Sequence, residues 1–417
     1  MALSTYVGSF SMNTSTGNQA ITGVGFQPKV ILFFANALTA DGSGANANEM
    51  LGCAISSTER WTGMGISNDA AATAAARDRL DNTKCLTFIN TANTVLAAAD
   101  FVSQDADGFT INVTTADATS RVINYIALGG TDLSNVKAGS FTNPLVVGNA
   151  GTTGVGFQPD CLLLFSPRHL DSTLPGGFHH IQWSLGVGTS SSAQWVSSWK
   201  TEGNASDPSD TARYQRTASI FAMIDPFTDT KNKEAVLVSL DSDGFTLNWT
   251  TIVAEAGQIF YLALKGGQYK VGADTQKTST GTQATSGIGF TPTGLLLTGF
   301  NNIATTSIIT SGRNSLGAAS STTQRGHIWI GDLDNQADTV AKSDLDRTAV
   351  LKHLTEASGG PTTEADADLD SFNSDDFTLN YGTADATARQ FLYLVVGSIP
   401  TTVVKDIIGM GVVPFPR

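Results

Sequence analysis

Apolar residues in this chain follow two patterns, short unbroken runs and strict alternation, and neither has the period of a helix. The runs are Val30-Ile31-Leu32-Phe33-Phe34, Cys161-Leu162-Leu163-Leu164-Phe165 and Leu295-Leu296-Leu297. A corner of the form Gly-x-Gly-Phe-x-Pro precedes each one: Gly23 to Pro28, Gly154 to Pro159 and Gly287 to Pro292. Glycines that tolerate positive φ, followed by a proline that withholds a donor, end one strand and feed the next. The alternations are Phe109-Thr110-Ile111-Asn112-Val113, Phe245-Thr246-Leu247-Asn248-Trp249 and Phe377-Thr378-Leu379-Asn380-Tyr381. Each follows an Asp-rich turn, which predicts a half-buried antiparallel strand leaving a tight hairpin.

Both signatures recur at a spacing of about 130 residues, so the chain reads as three tandem units. Each unit opens on a glycine-centred strand around Gly8, Gly139 or Gly272. Each resumes after a variable segment at a Leu-Gly pair (Leu51-Gly52, Leu185-Gly186, Leu316-Gly317) and closes on an apolar strand ending in glycine. The predicted fold class is all-β: three tandem antiparallel β-sandwich, jelly-roll-like repeats with boundaries 1–131, 132–267 and 268–399. Linkers of a few residues imply sandwiches packed side by side, about a pseudo-threefold axis. The alanine-rich stretch Ala70–Ala76 offers at most a turn of helix. Residues 400–417 form an extended apolar tail outside the repeat, expected either to complete a sheet of its own chain or to augment a neighbour's edge. Val403, Val404, Ile407, Ile408 and Phe415 are its candidate anchoring residues.

Composition narrows the function classes. Only 15% of residues are charged and the net charge is −13, which excludes a phosphate-backbone partner, since nucleic-acid binding needs a basic footprint. Three cysteines (Cys53, Cys85, Cys161) fit neither a disulfide framework nor a zinc pattern. Met-Ala-Leu-Ser-Thr lacks the basic and apolar regions of a signal peptide, and no run reaches a membrane span, so synthesis in a cytoplasm and no membrane partner are expected.

Candidate chemistry is sparse. The aspartate pairs Asp105/Asp107, Asp241/Asp243 and Asp375/Asp376 read as hairpin turns, general acid/base carboxylates or calcium ligands; no further calcium ligand follows at the required spacing. Histidines group only in Gly176-Gly177-Phe178-His179-His180-Ile181-Gln182-Trp183, where Phe178, His179, His180 and Trp183 are candidates for binding a ligand such as a sugar face. Trp61, Trp195 and Trp329 recur at similar places, either in the core or as aromatic platforms. No catalytic set, no cofactor site and no metal site is expected, and the chain reads as a non-enzyme.

The Gly-Val-Gly-Phe-Gln-Pro corner with its apolar strand, and Asp-Gly-Phe-Thr-Leu-Asn followed by Tyr261-Leu262-Ala263-Leu264-Lys265-Gly266-Gly267, resemble repeat domains of tailed-bacteriophage virion proteins. The resemblance covers the three units and not the tail. It implies a virion structural protein assembled in the host cytoplasm and displayed on the particle as capsid decoration or as a tail-fibre component. Implied partners are other virion proteins and further copies of this chain. The alternative is a host-attachment adhesin that binds a surface glycan through the variable loops.

Overall fold

The computed structural model describes residues 3–167, 176–203, 209–302 and 307–399. Among these the chain is all-β, with three seven-stranded and three four-stranded sheets, all paired antiparallel, and no helix. In the first seven-stranded sheet the order is Leu3–Ser11, Val122–Gly130, Pro28–Ala35, Ala47–Ala54, Arg60–Ser67, Arg77–Asp81 and then Gly176–Phe178. Its partner sheet runs Gly17–Thr22, Gly108–Thr115, Val95–Asp105, Leu86–Ile89. The same order is found twice more along the chain. The Ala70–Ala76 stretch forms no helix: Ala70 has a φ of +52°, outside the right-handed helical range, and the segment runs as bends and irregular backbone.

The seventh strand of every large sheet comes from another third of the chain. Gly176–Phe178 pairs with Arg77–Asp81, Ile309–Thr310 with Thr211–Arg216, and Gly42–Ala45 with Ala341–Asp346. The second third therefore lends a strand to the first, the third to the second, and the first to the third, which closes a ring. Covered edges leave fewer unpaired backbone groups for foreign strands.

Each sandwich interior is built on the alternation. Phe109, Phe245 and Phe377 are fully buried and meet Tyr125, Tyr261 and Tyr393 edge-to-face at 5.1, 5.6 and 5.5 Å. Burial of such a ring contributes about 2–3 kcal/mol. The Leu-Gly pair has a steric cause. A Cβ on Gly52, Gly186 or Gly317 would lie 2.1, 1.7 or 1.9 Å from the carbonyl oxygen of Cys85, Ile220 or Val350, so the two sheets approach closely only at glycine.

A further apolar core lies between the three large sheets. It unites Leu32, Leu163 and Leu296 with Leu128, Leu264 and Val396, residues from all three thirds. These line an apolar cavity of about 30 Å³.

Candidate functional site

The two sequence signatures turn out to be one device. The backbone N–H groups of Gly23 and Gly25 donate to the Asp107 carboxylate at 3.1 and 2.6 Å, and those of Gly154 and Gly156 donate to Asp243 at 3.1 and 2.6 Å. Gly289 donates to Asp375 in the same way. All six corner glycines have φ between +79° and +88°. Alternating conformations of this kind aim successive N–H groups at one point and form a nest for an anion. The chain fills each nest with its own carboxylate. The other aspartate of the pair is also used locally: Asp105 accepts from the Ser103 and Thr110 hydroxyls, and Asp241 from those of Ser239 and Thr246. These carboxylates are bonded to the backbone and hydroxyl groups of their own corners and turns. Among the described residues, no three His, Cys, Asp or Glu side chains are grouped so as to hold a metal ion.

The candidate ligand segment does not form one surface. Phe178 stands opposite Asp78 in the lent strand. His179 is exposed, while the His180 Nδ1 accepts the Gly203 amide at 3.0 Å and its ring meets exposed Phe227 edge-on at 4.8 Å. Trp183 is fully buried, edge-on to Phe165 at 4.7 Å and near-parallel to Trp199 at 6.3 Å. That corrects the expectation for Trp183: its strand turns the indole into the central core, out of a ligand's reach. Val403, Val404, Ile407, Ile408 and Phe415 lie outside the described residues.

The tryptophans take the core alternative, but only two of them occupy matching positions. Trp61 faces Cys53 and Trp195 faces Val187, matching positions after the Leu-Gly pair, but Trp329 faces Ser315 and projects from the opposite side of its sheet. The position matching Trp61 is Gly326, opposite Ala318. Trp61 Nε1 donates to the Tyr261 carbonyl at 3.0 Å and Trp195 Nε1 to that of Tyr393 at 2.8 Å, so each indole stitches its third to the next. Trp61 also stacks on Phe260, with 5.3 Å between centroids. At the remaining seam Asn124 occupies the space that a side chain on Gly326 would need. All three tryptophans are buried, so none is an exposed platform.

Two buried acids lie where the three thirds converge. Two residues before the Leu-Gly pair stand Glu49, Trp183 and Asn314. Glu49 is buried and accepts from Trp199 Nε1 at 2.8 Å and from Asn314 Nδ2, and burial pushes its carboxyl up from 4.5 to about 8. One strand along, Ser67, Thr201 and Asp332 occupy matching positions opposite Ala47, Ile181 and Gly312. The Thr201 hydroxyl donates to Asp332 Oδ2 at 2.8 Å, and burial raises Asp332 from 3.8 to about 7. The sequence held a signal for this junction: aligning the thirds on Leu-Gly exposes a Glu and an Asn in strands otherwise apolar at those positions.

Other buried titratable groups are equally enclosed. His327 pairs with the Ser315 hydroxyl at 2.7 Å, but both residues are shut inside the third sandwich, and burial lowers the imidazole to about 3. A nucleophile–base pair without access to solvent has no substrate to act on. Burial raises the Cys53, Cys85 and Cys161 thiols well above their usual range, which leaves them inert as thiolates.

No protein-family model matches the chain. No curated protein matches it. Among solved structures, the fructofuranosidase from Schwanniomyces occidentalis in complex with fructose aligns at 6% identity, over 94% of this chain and 98% of that one, with a TM-score of 0.13. The WD40 domain of SCAP from fission yeast aligns at 8% identity, over 84% and 95%, with a TM-score of 0.10. Similarity at that level carries no inference about fold or function.

Proposed function

We propose that this chain is a non-enzymatic structural protein of a tailed-phage particle, displayed on its surface as capsid decoration or as a tail component. The observation that supports it most is the ring of lent strands. One polypeptide closes on itself three times, and its buried acids Glu49 and Asp332 bind across its internal seams. A rigid body with threefold pseudosymmetry suits attachment at a local threefold or trimeric position. The repeat corner and hairpin, with their resemblance to virion modules, point the same way. A glycan-binding adhesin, the competing reading, loses Trp183 as a stacking surface because the indole is buried.

Antibody-gold labelling of intact particles tests the proposal. Gold over heads or tails is expected. Particles that contain no chain, probed after denaturation with an antibody of proven reactivity, would overturn it.

A further inference from the structure

The three sandwiches differ at one outer edge. In each, the gap between the first two strands is open to the side, because both strands are sheet edges. Gln19, Ala150 and Gln283 are matching residues there, opposite Ile111, Leu247 and Leu379. In the first third Gln19 spans the gap: its Nε2 donates to the Ser11 carbonyl at 2.8 Å and its Oε1 accepts the Asn13 amide at 2.9 Å. In the last third Gln283 Nε2 donates to the Thr275 carbonyl at 2.8 Å. Ala150 is too short to do this. A groove of about 220 Å³ stands open in the second third, with Phe141, Pro144, Ala150 and Trp249 in its lining.

The lip of that groove is apolar. Leu145, Val146 and Val147 are 52%, 70% and 61% exposed, where the first third has Thr14-Ser15-Thr16 and the last has Thr278-Ser279-Thr280. Beside them Gly148–Thr153 is a sheet edge, which offers an extended segment unpaired backbone as well as an apolar cleft.

We propose that this groove is the docking site of the chain's own C-terminal segment, residues 400–417. Where the segment starts and how far it reaches argue for it. The Ile399 amide donates to Asp132 Oδ2 at 3.1 Å, which places the start of the segment beside the strand Asn135–Thr142 that leads to the groove. Eighteen extended residues reach at most about 60 Å, whereas the thirteen from Asp132 to Leu145 span at most about 45 Å. Tethering at that distance gives the segment a high effective concentration at the site. Its composition fits both parts of the groove: Thr401-Thr402-Val403-Val404 favours an added strand, and the β-branched side chains match an apolar cleft that elsewhere holds a glutamine stem.

Hydrogen exchange on the full chain, with mass measured by light scattering, tests this. A monomer is expected in which amides of 148–153 and 401–413 are protected. Ala150→Gln, which installs the residue found in the other two thirds, should lower protection at both segments at least tenfold. Val404→Asp, which leaves the sandwich untouched, should do the same at 148–153 and covers the case that Ala150→Gln misfolds. Unprotected 401–413 in the unaltered chain would overturn the proposal, as would protection indifferent to both variants. Protection that appears only as the chain dimerises would also overturn it, in favour of a second copy's segment.

Discussion

The outer corners and the inner junction follow opposite rules. At the corners the same residue types recur three times: two positive-φ glycines and an aspartate, with both glycines donating to Asp107 and to Asp243 and Gly289 donating to Asp375. At the junction, matching positions from different thirds meet, Glu49 with Asn314 and Thr201 with Asp332, and there the residues differ. A corner sees only its own sandwich, so nothing is gained by varying it. Three identical carboxylates converging in a buried space would repel one another. A single chain escapes that constraint by placing one acid against donors from the other two thirds.

If this contrast is right, changes at the invariant positions should cost the same in every third. The largest effect is expected for Gly52→Ala, Gly186→Ala and Gly317→Ala. Each drives a Cβ into a carbonyl at about 2 Å or less, and each should destabilise by roughly 3 kcal/mol or more or prevent folding. Soluble yield and denaturant midpoints check this, and one tolerant position would break the equivalence.

The junction should reveal itself through pH. Glu49 titrates near 8 when folded and near 4.5 when unfolded, so the folded state holds a proton that the unfolded state releases first. Stability contributed by the protonated group is complete below about 4.5 and is lost as pH rises towards 8, by on the order of a few kcal/mol. Asp332 adds a fall of the same sign up to about 7. Glu49→Gln should flatten the decline in Tm between pH 5 and 8; an unchanged slope would remove Glu49 as its source.

Smaller effects follow outside the junction. Asp107→Ala, Asp243→Ala and Asp375→Ala should each cost about 1–2 kcal/mol by emptying a nest, alike within error in chemical denaturation. Asp41→Ala removes the exposed ion pair with Arg347 beside the lent strand Gly42–Ala45 and should cost about 0.5 kcal/mol or less. A larger loss there would mean that the ring depends on that pair.

Much of the sandwich was legible because its signals are local. A corner at Pro28 and an alternation from Phe109 each fit within one hairpin. That Asp107 fills the nest of Gly23 and Gly25 was not legible, because more than eighty residues separate them and either half makes sense alone. The lent strands were hidden for another reason. Gly42–Ala45 reads Gly-Ser-Gly-Ala and Ile309–Thr310 is two residues long, so neither carries an alternation, and their pairing is decided by the edge that receives them. Trp329 misled because its distance from the Leu-Gly pair is close to that of Trp61, whereas sheet register separates sides by a single residue. Trp183 misled because an aromatic beside histidines in a variable segment looks like a loop residue, although the core had already begun at Ile181.

The ring also sets an order in time. As the chain leaves the ribosome, the first large sheet can be completed once residue 178 has emerged and the second once residue 310 has, each about 95 residues after its acceptor edge. Gly42–Ala45 is made early, but its acceptor Ala341–Asp346 follows about 300 residues later, and only then can the Ser43 hydroxyl reach Asp344 at 2.6 Å. Contacts so distant in sequence form slowly. The last seam to close is therefore the one whose first half has waited longest, and assembly of the ring is timed by the arrival of its last acceptor edge.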